Sequence, residues 1–215
     1  MQTVRIIDLG GVNCYLLKAG NSFVLIDTGF AFRRNKLRKE LENAGCKPGN
    51  LVLAVVTHGD SDHTGNCAYL GRHYGAKIAM HREDSGMVEK GDMLWNRKMR
   101  GTLERMFLSL PFLRLNRKDR FKPDIYLEDE QELSMYGLEA KVVHIPGHSA
   151  GSIGILTGDG LLFCGDLLGN NRKPGLFSII DDMETAQSSV DRLRALNIDK
   201  VFPGHGKPFS MKELQ

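Results

Sequence analysis

Two histidines and two aspartates fall within six consecutive positions of VVTHGDSDHTGN (55–66): His58, Asp60, Asp62 and His63. Imidazole nitrogen and carboxylate oxygen are the donors that Zn, Fe and Mn ions take, and one short turn can present several of them at once. The acids alone would also suit the positive end of a helix, but that leaves both histidines without a reason. Three later stretches repeat the construction of an apolar run entering a polar, glycine-containing turn: VVHIPGHSAGS (142–152), LLFCGDLL (161–168) and KVFPGHGKP (200–208). They add His148, Asp166 and His205. A single Pro-Gly-His turn is ordinary loop chemistry. Four such turns meeting at one edge of a layered sheet would instead give the fixed geometry that a two-metal centre needs.

The elements that must carry these turns are legible as alternating runs. VNCYLLKAG and NSFVLIDTG read as strands joined at Ala-Gly-Asn, and the second ends at Asp27. FRRNKLRKELENAG reads as a basic amphipathic helix with Leu37 and Leu41 at helical spacing and Gly45 at its C-terminal end. LVLAVV is the apolar strand that delivers the first cluster, GNCAYLGRHYGA a helix stopping at Gly75, and KIAM a short strand. Residues 84–122 interrupt this rhythm with Met99, Leu103, Met106, Phe107 and Leu110, a helical stripe ended by Pro111, and read as an inserted helical arm. Strands are expected again at DIYLE, QELSM, LEAKVVHI, SIGILTG and LLFCGD, then a helix at DMETAQSSVDRLRAL and a strand at KVFPGHG.

A chain of 215 residues holds one full domain, burying roughly 70% of its unfolded surface. With 41% apolar and 26% charged residues, it is neither disordered nor fibrous. One domain over 1–215, with the arm inserted at about 84–122, is the simplest partition. No run is long and apolar enough to cross a membrane, and MQTVRIIDLG is no basic-then-apolar leader, so a cytoplasmic location is expected. Cys14, Cys46, Cys67 and Cys164 form no C-x-x-C pair and are expected to be buried thiols. The net charge of +3 hides an uneven distribution. Arg97–Lys122 holds nine basic residues against Glu104 and Asp119, which leaves the rest of the chain acidic. A basic helical segment is commonly a solvated face; this one also carries Trp95 at its edge and Phe107 and Phe112 within it, which suits a substrate-covering role.

Taken in order, Asp27 in LIDTG, the H-x-x-x-D-H core at His58, Asp62 and His63, His148 in IPGHSAGS, Asp166 in CGD and His205 in FPGHG resemble the five motifs of the metallo-β-lactamase superfamily across nearly the whole chain. The resemblance implies an α/β fold, a four-layer αββα sandwich. It also implies a hydrolytic centre of two divalent metal ions, zinc being the family's commonest. On that pattern His58 and His148 would bind the first ion, Asp62, His63 and His205 the second, and Asp166 would bridge them. Asp27 would orient ligands from outside. The departure is Asp60, where the commonest pattern has a second histidine. Relatives with two irons carry acids there, so Asp60 is a candidate ligand of the first ion, and the less positive centre it creates suits Fe or Mn. Alternatively its short side chain falls short and leaves the first site weak.

The resemblance implies a binuclear metal hydrolase that opens an ester, thioester, lactone or similar acyl bond with a metal-bound hydroxide oriented by Asp62. The partner would be a small molecule, with an acid or phosphorylated carrier favoured by a basic arm; nucleic acid is not expected. A diiron redox protein without its flavin domain, and a non-enzymatic metal-binding protein, are the rival readings. His73, His81 and His144 are expected to be structural and Cys164 to be packing, while Asn170 and Asn171 lie in a loop that could touch substrate.

Overall fold

Period-two burial along the first strands divides their side chains between two cores. In β2 (Asn13–Ala19), Tyr15 and Leu17 enter one apolar cluster and Cys14 and Leu16 another; in β3 (Ser22–Ile26), Val24 and Ile26 part from Leu25 in the same way. A sheet buried on both faces needs a partner layer on each. Among the residues that the computed structural model describes (2–98, 106, 110 and 114–214) it has them.

The first sheet has the order β1-β2-β3-β4-β5-β6, with β1 (Val4–Asp8), β4 (Leu51–Val55), β5 (Lys77–His81) and β6 (Ile125–Leu127). β1 to β3 are antiparallel neighbours, whereas β3 to β6 run parallel. The helices α1 (Arg34–Asn43), α3 (Cys67–Tyr74) and α4 (Arg82–Lys90) contribute Leu37, Leu41, Leu70, Met87 and Val88 to the core on its outer face. A short α2 (Ser61–Thr64) precedes α3.

The second sheet has the order β13-β12-β9-β8-β7, made of β7 (Ala140–His144), β8 (Ile153–Thr157), β9 (Leu161–Gly165), β12 (Lys200–Pro203) and β13 (Phe209–Ser210). Its outer face is covered by α5 (Met183–Arg194) through Ala186, Val190 and Leu193. Between the sheets, Leu17, Val24, Ile26 and Leu53 meet Val142, Ile153, Ile155 and Phe163. Helix, sheet, sheet, helix is the αββα sandwich. Each fully buried Leu, Ile or Phe in that middle layer stabilises it by about 1.5–3 kcal/mol.

The same layer fixes the last functional turn. Tyr15, Phe163 and Phe202 form an aromatic trio with centroids 4.9–5.5 Å apart. The Tyr15 hydroxyl donates to the Pro203 carbonyl at 2.5 Å, and the Asn13 amide donates to Pro203 and Gly206. His205 is thereby held between two anchored neighbours.

One reading of the sequence needs correction, and some elements had no signal. QELSM is not a strand: Ser134–Tyr136 is a 3-10 turn ending at Gly137 (φ 77°), and only the bridge between Glu132 and Lys141 pairs there. The edge strands β1 and β13 and the small β10–β11 pair (Leu168–Gly169, Gly175–Leu176) gave no apolar run long enough to notice. The arm's stripe at Met99, Leu103 and Phe107 lies outside the described residues. Its two ends do not protrude: Met87 and Met93 on one side and Leu115 on the other are buried in the first core. Met106 and Leu110 are exposed.

Candidate metal centre

β3, β4 and β5 of the first sheet run parallel, as do β7, β9 and β12 of the second, and their C-terminal ends open onto one edge of the sandwich. Asp27 follows β3, His58 to His63 follow β4, His148 lies beyond β7, Asp166 follows β9 and His205 follows β12. The sequence separation of 147 positions between His58 and His205 therefore closes to one cluster.

Two buried carboxylates shape it from behind. Asp27, in the left-handed region at φ 58°, accepts from the Thr57 amide (2.9 Å), the Thr57 hydroxyl (2.8 Å) and His63 Nδ1 (2.9 Å). Asp84, on α4, accepts from the amides of Gly59 and Gly151 and the Ser149 hydroxyl, tying the β4 turn to the His148 turn. Gly204 is required by closeness: a Cβ there would lie 2.1 Å from Asp166 Oδ1 and 2.7 Å from His63 Cε1.

The imidazoles are all oriented in one sense. His148 Nδ1 lies 2.7 Å from the Ile179 carbonyl and His205 Nδ1 2.6 Å from that of Gly11. A carbonyl only accepts, so each Nδ1 carries the proton and each Nε2 presents a lone pair inward. His63 donates to Asp27 in the same way. His58 Nδ1 meets the Thr57 hydroxyl at 3.0 Å, which itself donates to Asp27 and so accepts from the ring.

Those Nε2 atoms converge on carboxylate oxygens that also only accept. His58 and His148 stand 3.7 and 3.1 Å from Asp60 Oδ2; His63 and His205 stand 3.7 and 3.4 Å from Asp62 Oδ2. Asp166 lies between the groups, 3.9 Å from His58, 3.4 Å from His63 and 3.1 Å from His205. Acceptors facing acceptors call for a cation. In addition, His58 Nε2, His63 Nε2 and Asp166 Oδ1 are buried without a hydrogen-bond partner. The donor set fits metal ions: the triplets His58–Asp60–His148, Asp62–His63–His205 and His58–His63–Asp166 each bring one atom per residue within 4.8 Å.

Electrostatics agrees. Burial, with His63 and His148 nearby, holds the His58 pKa well below the ordinary imidazole value, leaving a neutral ring. Burial opposes charge on His63 and His205 too, but Asp166, with Asp27 and Asp62, raises His63 well above that value, and Asp166 and Asp62 take His205 to about 10. The carboxylates thus attract positive charge at nitrogens where protons and metal ions compete.

The structure places all seven proposed ligands in this cluster. Asp60 does reach the His58–His148 pair, and it does not serve as a helix cap: it sits at the N-terminus of α2 without a side-chain capping bond. Its outer oxygen instead takes the guanidinium of Arg97, whose side chain is 2% exposed and also bonds the His148 carbonyl and Asp181. Burial raises the Asp60 pKa, but Arg97 and His148 outweigh it and hold the carboxyl well below the usual range. A charge count from the ligands alone therefore omits a buried cation and its second acid.

At the centre is a cavity of about 210 Å³, lined by Asp60, Asp62, His148, Asp166 and His205 together with Phe30, Met93, Phe177 and Ile179. The Phe177 ring stacks on His205 (4.8 Å, 12°). Asn170 turns away, donating to the Lys207 carbonyl.

His81 caps α4 and stacks on His144, whose Nε2 meets the Ala150 carbonyl, and His73 bonds the Tyr69 carbonyl, so these three stand apart from the cluster. Cys164 is buried, its thiol pushed up to about 12 by that burial, which removes it as a nucleophile. No described helix is long and apolar enough to cross a membrane.

The family model of the metallo-beta-lactamase superfamily matches residues 7–205. The acyl-coenzyme A thioesterase MBLAC2 of Bos taurus is 26% identical over 218 residues, covering 94% of this chain and 75% of its own length. The hydroxyacylglutathione hydrolase GloC of Haemophilus influenzae is 32% identical over 165 residues, or 73% of this chain and 69% of the relative. Among solved structures, TTHA1623 in a di-iron-bound form is 25% identical, with a TM-score of 0.74 over 98% of this chain and 95% of that one.

Proposed function

The chain belongs to the metallo-β-lactamase superfamily and is a metal-dependent hydrolase of it; from that premise we propose that it opens ester or thioester bonds at a centre of two divalent ions. The observation that carries the two-ion reading is the inward set of Nε2 lone pairs facing Asp60, Asp62 and Asp166, arranged as two triplets around one shared carboxylate. An acyl-coenzyme A thioesterase and a hydroxyacylglutathione hydrolase among the relatives support the choice of an acyl bond.

His58, Asp60 and His148 would hold the first ion, Asp62, His63 and His205 the second, and Asp166 both. When bound, such ions lower the pKa of a water molecule and polarise the scissile carbonyl, so that no protein nucleophile is needed. Asp62 borders the cavity, and its carboxylate would accept a hydrogen bond from the attacking water and aim it at the carbonyl carbon. Asp27 and Asp84 keep the two triplets in register, and the apolar lining excludes bulk water from the reacting bond.

The test loads the protein separately with Zn, Mn and Fe and assays a panel of esters, lactones and thioesters. Turnover that is lost in His63→Ala and Asp166→Ala supports the reading. An enzyme inert on every member, with iron-loaded protein consuming oxygen or nitric oxide, would establish the redox alternative instead.

A further inference from the structure

We infer that the acyl group this centre accepts is short, uncharged and apolar, an inference that rests on the hydrolase reading and concerns which acyl compounds that site takes. The lining of the cavity is the starting observation. Phe30, Met93, Phe177 and Ile179 come from three separate parts of the chain, the stretch after β3, the stretch after α4 and the loop before α5, yet all line the one cavity that the acids and imidazoles open into.

This apolar lining is built into the site. Phe177 lies face to face with His205 at 4.8 Å and meets His148 edge-on at 6.1 Å, so one ring touches an imidazole of each triplet. Ile179 supplies the carbonyl that orients His148, so its backbone is anchored by the same bond that aims that ligand. The carbonyl of Phe30 accepts from the Asn66 amide at 3.0 Å, and its ring stacks on the exposed Phe32 at 4.9 Å, continuing the apolar surface toward solvent.

No lysine or arginine lines the cavity among the described residues. Arg97 is the buried cation nearby, and its hydrogen bonds go to Asp60, Asp181 and the His148 carbonyl. A second carboxylate on the acyl group would have to lie against Phe, Met and Ile side chains, desolvated and unpaired, at a cost that excludes it from the wall. Arg97, at the start of the basic segment, is already paired, so no described lysine or arginine lines the cavity to meet a charge on the acyl half.

Size follows from volume. A dry apolar cavity of about 150 Å³ holds benzene; of the 210 Å³ here, the reacting carbonyl and the water beside the acids would take a share, which leaves room for an acyl group on the order of four to six carbons. Each methylene buried there should raise kcat/KM by about fourfold, from about 0.8 kcal/mol per CH₂, until the space is full.

The experiment uses acyl thioesters of N-acetylcysteamine, whose leaving group is neutral, with acetyl, butyryl, hexanoyl, decanoyl and succinyl chains, on the metal-loaded protein. Hexanoyl should exceed acetyl by more than tenfold in kcat/KM and succinyl by more than a hundredfold, with decanoyl falling back. In Ile179→Phe, which narrows the cavity, the hexanoyl-to-acetyl ratio should fall several-fold, and Phe177→Ala should move the optimum to longer chains. Should Phe177→Ala fail to fold, the wild-type series and Ile179→Phe decide the matter. Acetyl or succinyl turned over as well as hexanoyl, or a ratio unmoved in Ile179→Phe, overturns the inference while the hydrolase reading stands. No turnover of any acyl compound overturns both.

Discussion

Replacing Arg97 by Met keeps the apolar stem and removes the guanidinium. Two carboxylates then lose a partner: Asp60, with a side chain 13% exposed, and Asp181, 5% exposed. Breaking a buried ion pair by deleting one member costs about 3–5 kcal/mol, because the remaining charge is left desolvated. Asp181 can escape by taking a proton, since burial already pushes its carboxyl above the ordinary value. With Arg97 gone, burial at Asp60 is opposed only by His148 and His58, so its carboxyl also moves toward protonation and part of the penalty is relieved. The low end of the range, about 3 kcal/mol, is therefore expected, which for a chain of this length corresponds to a fall in Tm of roughly 6–12 °C. The assay is chemical denaturation of chelator-treated protein at pH 7.5, with Asp60→Asn and the double variant completing a cycle. The pair's coupling should be about 2 kcal/mol or more. Because the folded Asp60 pKa is depressed, this stabilisation is present at all pH values above the ordinary carboxylate range and fades only as the pH falls through the lowered value. A loss under about 1 kcal/mol, the size of a surface pair, or strictly additive single changes, would refute the view that Asp60 depends on Arg97.

Two further outcomes follow from the geometry. Asp27→Asn keeps a residue that tolerates φ 58° but presents an amide where His63 Nδ1 must donate; metal affinity should fall about 10–100-fold in a metal titration, with the fold retained by circular dichroism, and unchanged affinity would remove Asp27 from its orienting role. His205 has its pKa raised to about 10, so the metal-free fold gains stability from its charge below the unfolded value near 6.5 and loses it as the pH rises through about 10. Chelator-treated protein should melt lower at pH 10.5 than at pH 7.5, and His205→Gln should reduce that difference, the remainder including His63, which the same carboxylates raise; a pH-independent Tm would contradict the assignment.

The ligand cluster was readable because each member sits in a turn directly after an apolar run, where local pattern and chemistry coincide. His58, Asp60, Asp62 and His63 share one turn, and His148, Asp166 and His205 each follow a strand that burial makes unmistakable. Asp84 and Arg97 were not readable. Asp84 stands as one charge among several in REDSGMVEK, and Arg97 as one of a basic run; that both are buried against the centre is a tertiary fact with no local signature. Phe177 and Ile179 lie in a loop without periodicity, so their meeting with Phe30 and Met93 could not be foreseen. QELSM was misread because Leu133 and the Gly137 turn satisfy a tight loop as well as a strand.

The central claim concerns where ions sit. Anomalous scattering from crystals of metal-loaded protein, collected at the absorption edge of the bound metal, tests it in one step. Two peaks are predicted, one among the inward atoms of His58, Asp60 and His148, the other among those of Asp62, His63 and His205, with Asp166 between them. No peak at either triplet, or ions bound only elsewhere on the surface, would contradict the account.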